Sequence, residues 1–158
     1  MSREIKFRGK EKVSGNWAYS NGFYYDNFNY WFTMPDKSNK AIAWAHHEQV
    51  ILETIGQYTG LKDKNGIDIY EGDIVIHIYP VGYTYYQVKF GEFNNGESYE
   101  DLENGVGFYI EGLWEYYNAF EIEYIEIDSG IHNMLGYPSY SELEVIGNIY
   151  ENKELLNE

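Results

Sequence analysis

Between Gln57 and Val75 the chain reads Gln-Tyr-Thr-Gly-Leu-Lys-Asp-Lys-Asn-Gly-Ile-Asp-Ile-Tyr-Glu-Gly-Asp-Ile-Val, which sets Gly60, Gly66 and Gly72 between short apolar runs. Glycine enters the positive-φ region without a Cβ clash, so this spacing predicts three chain reversals separating short strands. Elsewhere, too, short β-type runs alternate with turn residues, and no long stretch repeats with helical period. The pattern predicts a mainly β protein: a small SH3-like barrel or curved antiparallel sheets, with a β-rich N-terminal part and one or two short helices.

The expected strands are Ile5–Arg8, Trp17–Ser20, part of Phe23–Phe32, Ala41–Ala45, Asp73–Tyr79, Tyr85–Phe90, Val106–Glu111, Phe120–Ile127 and Glu144–Ile149. Asn65-Gly66 has the composition of a tight hairpin with positive φ. Asn94-Asn95-Gly96, Asp128-Ser129-Gly130 and Tyr79-Pro80-Val81-Gly82 are further turns on the same chemistry. Phe120-Glu121-Ile122-Glu123-Tyr124 alternates apolar and acidic residues, and Ile125-Glu126-Ile127 shifts that phase, which predicts a bulge at Tyr124–Ile125. Residues 91–105 are acidic and glycine-rich and read as a mobile loop. Short helical turns are expected at His46–Leu52 and Leu113–Phe120, and Asn152 is placed to cap a C-terminal helix carrying Leu155 and Leu156.

A chain of 158 residues fits one domain, burying roughly 70% of its unfolded surface. The expected organisation is a single domain over 1–158, softly divided into 1–56 and 57–158. The 30 aromatic residues, 18 of them tyrosine, each bring roughly 150–250 Å2 to bury and could fill a core with few aliphatic side chains. Cysteine is absent, which excludes a disulfide framework, a thiolate metal site and a cysteine nucleophile, and fits a reducing cytoplasm. No signal-peptide pattern or membrane-length apolar run is present, so a soluble cytoplasmic protein without membrane contact is expected.

The net charge of −15 is unevenly distributed. Residues 1–91 hold ten acids and ten bases, whereas residues 92–158 hold sixteen acids against Lys153 alone. A field of that sign repels phosphate backbones, so direct nucleic-acid binding is not expected. The acids keep a tyrosine-rich surface soluble. A sharper reading makes them attract a basic partner, or the basic arm holding Arg3, Lys6, Arg8, Lys10 and Lys12 of a second copy.

Catalytic constellations are missing from the sequence: no nucleophile elbow, phosphate-binding loop or dinucleotide fingerprint occurs. His46-His47-Glu48 has the ligand types for zinc, but adjacent strand residues point apart and a helical site wants i and i+4. His77 and His132 read as strand and loop residues. The oxygen-rich run Asp63, Asn65, Asp68, Glu71 and Asp73 fails the calcium-loop pattern, which would put Leu61 at the first ligand position and Gly72 at the last. Turn and cap roles suit these residues better, and no metal or cofactor is assigned. Tyr24, Tyr25, Phe28, Tyr30, Trp31 and Phe32 form a candidate interaction surface whose one intervening charge is Asp26.

Three blocks, Arg3–Arg8, the Gln57–Val75 segment and Leu143-Glu144-Val145-Ile146-Gly147-Asn148-Ile149-Tyr150-Glu151-Asn152, with Gly107-Phe108-Tyr109-Ile110 between the last two, resemble the YopX family of phage and prophage proteins. The motif positions are Gln57, Tyr58, Thr59, Gly60, Asp63, Asn65, Gly66, Tyr70, Glu71, Gly72, Asp73, Gly147, Asn148 and Tyr150. The resemblance implies a mostly β fold, the cytoplasm of an infected bacterium and self-association. It implies no catalytic residue, since the family has no established activity. The leading expectation is therefore a noncatalytic accessory protein that self-associates and binds a host or phage protein. An acidic decoy for a nucleic-acid-binding protein and an enzyme acting on a nucleotide or sugar are the alternatives.

Overall fold

In a computed structural model, residues 4–33, 47–79, 82–94, 104–117 and 142–156 are described. Eleven strands are formed by them: β1 (Phe7–Lys10), β2 (Trp17–Ser20), β3 (Phe23–Tyr25), β4 (Tyr30–Thr33), β5 (His47–Val50), β6 (Gly56–Lys62), β7 (Asp68–Tyr70), β8 (Asp73–Tyr79), β9 (Gly82–Asn94), β10 (Asn104–Tyr117) and β11 (Glu144–Asn148). They make three antiparallel sheets, with no closed barrel among the described residues. Short 3-10 turns lie at Leu52–Thr54 and Lys153–Leu156, and Glu142 is also in 3-10 conformation. The mainly β expectation holds in its antiparallel-sheet form. The expected strand over 41–45, the strand and bulge within 120–127, the turns at 80–81, 95–96 and 128–130, and His46 and His132 lie outside the described residues.

Contacts divide the chain into two compact units, Met1–Gly60 and Leu61–Glu158. In the first, β1 pairs with β2 and, through Phe7↔Gln57 and Arg8↔Gly56, with β6. A separate sheet has the order β3-β4-β5. Ala18, Phe32 and Val50 form the core of this unit, flanked by Phe7, Tyr30 and Ile55. Gly9 makes that packing possible, because a Cβ there would stand 3.1 Å from the Phe32 ring. The basic arm is engaged locally: Lys6 lies over the Tyr58 ring, and Arg8 and Lys10 over Trp17 at 4.8 and 5.4 Å.

In the second unit the sheet order is β10-β9-β8-β11. Ile69, Val75, Tyr86, Val88 and Leu143 are its core, with Leu61, Ile110 and Val145 packed alongside. Burying aliphatic side chains of this size stabilises by roughly 1.5–3 kcal/mol each. Among the described residues this core is mostly aliphatic, with Tyr86 its buried ring, while Phe23, Tyr24, Tyr25, Phe28 and Phe90 are exposed.

Three local expectations change. Of the three glycines, Gly66 (φ 82°) and Gly72 (φ 83°) make turns, but Gly60 (φ 91°) lies inside β6. Leu113–Tyr117 continue β10 instead of starting a helix, because Trp114–Tyr117 pair with Gly82–Tyr85 after a bulge at Leu113. His47–Val50 are likewise strand, leaving only Leu52–Thr54 helical in that segment. The expected loop over 91–105 is shortened at both ends, since Gly91–Asn94 pair with Asn104–Gly107.

Candidate functional site

Motif residues from distant parts of the sequence gather in the second unit. At the first turn, Gly66 N–H donates to Asp63 O at 3.0 Å and Asp63 N–H to Ile67 O at 2.8 Å. The expected hairpin between β6 and β7 is therefore present, and since only Gly66 of these residues takes positive φ, it is a four-residue turn closed by a glycine bulge. The Asp63 side chain is buried and organises this turn. Its Oδ1 accepts from Asn65 N–H (2.8 Å) and Ile67 N–H (2.9 Å), and its Oδ2 from Val145 N–H (3.0 Å). Burial penalises the charge, but the N–H groups of Val145, Ile67 and Asn65 outweigh it and hold the carboxyl below its ordinary value.

The second turn links β7 to β8. Asp73 Oδ2 accepts Tyr70 N–H at 2.7 Å, tightening the reversal around Gly72. Gly72 then joins three segments: its N–H donates to Val88 O (2.9 Å) and its O accepts Ile149 N–H (3.0 Å). A Cβ at Gly72 would lie 3.2 Å from the Tyr150 ring, so glycine is required both for φ and for space. Tyr150 is held by a third turn. Asn148 Oδ1 accepts Tyr150 and Glu151 N–H, each at 3.1 Å, and Asn148 Nδ2 donates to Glu151 (2.9 Å). Asn152 Oδ1 accepts Asn148 N–H at 3.1 Å, directing its side chain backwards instead of capping the turn that follows.

These turns frame a cleft of about 270 Å3 lined by Glu71, Gly72, Gln87, Lys89, Phe90 and Tyr150, among others. It offers a carboxylate, an amide, an ammonium group and a phenol beside aromatic surface. Lys89 is ion-paired with Glu111. These groups can engage a ligand through hydrogen bonds and apolar contact. Gln57, Tyr58, Thr59 and Gly60 belong to β6 in the first unit, where Tyr58 N–H donates to Lys6 O at 2.9 Å. No group of three metal-ligating side chains occurs among the described residues. His47 and Glu48 are neighbours on β5 and alternate between its faces.

The first unit carries the aromatic cluster. Phe23, Tyr24 and Tyr25 are exposed on β3, and Phe28 at the following turn is 87% exposed. Asp26 builds that turn, accepting Trp31 Nε1–H (2.8 Å), Asn29 N–H (2.8 Å) and Phe28 N–H (3.1 Å). The Trp31 indole first, then the Asn29 amide, draws the Asp26 carboxyl below its ordinary value. Asn27 takes φ 74° to close the reversal. Tyr30 and Trp31 are half-buried, and Phe32 is fully buried in the core, so it does not belong to the candidate surface.

Sequence reasoning passed over Gln87, Lys89 and Phe90, which have no turn chemistry, and Asn152 as the partner of Asn148. The Asn-x-x-x-Asn spacing of 148 and 152 was the available signal. No helix among the described residues is long and apolar enough to cross a membrane. A search of curated proteins returns no match. A family model described as YopX protein matches residues 6–157, spanning the β1, β6–β8 and β11 segments whose turns have just been described. The chain belongs to the YopX family.

Proposed function

We propose that this protein is a noncatalytic interaction module that self-associates through the β3–β4 hairpin and serves a phage or prophage in the bacterial cytoplasm. The carrying observation is the exposed ring set Phe23, Tyr24, Tyr25 and Phe28 around a turn fastened by Asp26. Rings presented on a stiff turn lose little side-chain freedom on docking, and clustered exposed aromatic surface is characteristic of protein interfaces. A second copy suits this face because Asp26 is its one charge and that charge is already hydrogen-bonded, so two identical faces meet without strong like-charge repulsion.

Size-exclusion chromatography with light scattering at micromolar concentration tests this reading. A dimer or larger species is expected, converted to monomer by Tyr25→Ser with Phe28→Ser while circular dichroism is unchanged. A strictly monomeric wild-type chain, or an oligomer indifferent to both substitutions, would overturn it.

A further inference from the structure

The sheet of the second unit is longer on one side than the other. β8 pairs with β9 only from Tyr79↔Gly82 to Ile74↔Gln87, whereas β10 follows β9 all the way to Asn94. At Gly72 the chain turns out of the β8 lane, its N–H reaching back to Val88 O. Val88 therefore points its carbonyl into that lane, and by the alternation of an extended strand Phe90 and Glu92 direct their N–H and C=O groups the same way. Among the described residues, no strand lies in the lane beside Lys89–Asn94.

The cleft lined by Glu71, Gly72 and Phe90 opens at the point where β8 leaves. The sheet face carrying Val88 continues outward as the Phe90–Phe108 edge-to-face pair, with Phe90 50% and Val106 71% exposed. Donor and acceptor groups at strand spacing, an apolar face beside them and a cleft at one end are the parts needed to receive an extended peptide as an added strand.

We infer that this open lane binds an extended segment of a partner protein by strand addition along β9, with a basic side chain seated at Glu71 and an apolar one beside Phe90. Charge selects the basic sequence: Lys89 is paired with Glu111, and Glu71 and Glu92 add two acids beside the lane. This inference does not depend on self-association through the aromatic hairpin.

The probe is a short fluorescent peptide alternating valine and lysine, titrated into the full chain and followed by anisotropy, with a valine–glutamate peptide as control. The basic peptide is expected to bind and the acidic one not to. Glu92→Pro removes one N–H from the lane but none from the β10 ladder, and should weaken binding about tenfold or more, as should Glu71→Lys. Hydrogen exchange on the wild-type chain should show new protection at the Phe90 and Glu92 amides when peptide is added. Equal binding of the two peptides, indifference to Glu92→Pro, or no new protection at those amides would overturn the inference.

Discussion

Asp63 accepts the backbone N–H of Val145 through Oδ2 at 3.0 Å, across 82 positions of sequence. One buried carboxylate thereby fastens the β6–β7 turn and β11 together. The neighbouring bond from Lys64 N–H to Leu143 O, at 2.9 Å, repeats the link on the main chain.

Replacing Asp63 by alanine leaves the N–H groups of Asn65, Ile67 and Val145 without their acceptor. Given about 1.5–3 kcal/mol for a hydrogen bond to a charged group, and incomplete additivity among three, a loss of about 3–5 kcal/mol is expected in urea denaturation. The Asp63→Asn substitution keeps one acceptor but brings an amide donor against N–H groups, and should cost about 2 kcal/mol or more.

The same carboxylate gives a pH dependence of definite sign. Its folded pKa lies below the ordinary value of 3.8, so its contribution is complete above that value and is lost as pH falls through the lower folded pKa. Wild-type stability should therefore drop more steeply below about pH 4 than that of Asp63→Asn, measured by thermal melts across that range.

Gly72→Ala meets two obstacles, a φ of 83° and the Tyr150 ring. The expected cost is about 1–3 kcal/mol. Removing the ring with Tyr150→Ala should relieve the crowding but not the backbone strain, so a double-mutant cycle should show a partial, favourable coupling.

Gly147→Ala would bring a Cβ to 2.3 Å from Asn152 Oδ1. Asn152→Ala alone should cost about 1 kcal/mol through the lost bond to Asn148 N–H. In that background the penalty for Gly147→Ala should shrink by about 1 kcal/mol or more, read by chemical denaturation.

Two phenylalanines near each other in sequence should behave oppositely. Phe32 is fully buried and Phe32→Ala should cost about 3–5 kcal/mol. Phe28 is exposed, and Phe28→Ala should leave stability within about 0.5 kcal/mol while weakening self-association.

Local chemistry was legible where a residue decides its own backbone. The Trp17–Ser20 and Asp73–Tyr79 strands are found with the bounds that alternation and turn residues predict. The Asp63–Gly66 turn was readable as a reversal, but its type depends on which residues cross to positive φ, and Asn65 does not. Leu113–Tyr117 and Gly91–Asn94 were misread because cross-strand pairing, which one segment cannot show, overrides helix-like spacing and acidic, glycine-rich composition. The cleft was illegible for the same reason: Phe90 and Tyr150 are brought together by pairings between distant strands.

β11 enters its sheet beside β8 through Val145↔Val75 and Glu144↔Ile76. The β9–β10 and β8–β9 hairpins join sequence neighbours, whereas this ladder must gather residues separated by most of the unit, at the entropic cost of closing a long loop. By that cost the β8–β11 ladder is expected to form later than the hairpins zip.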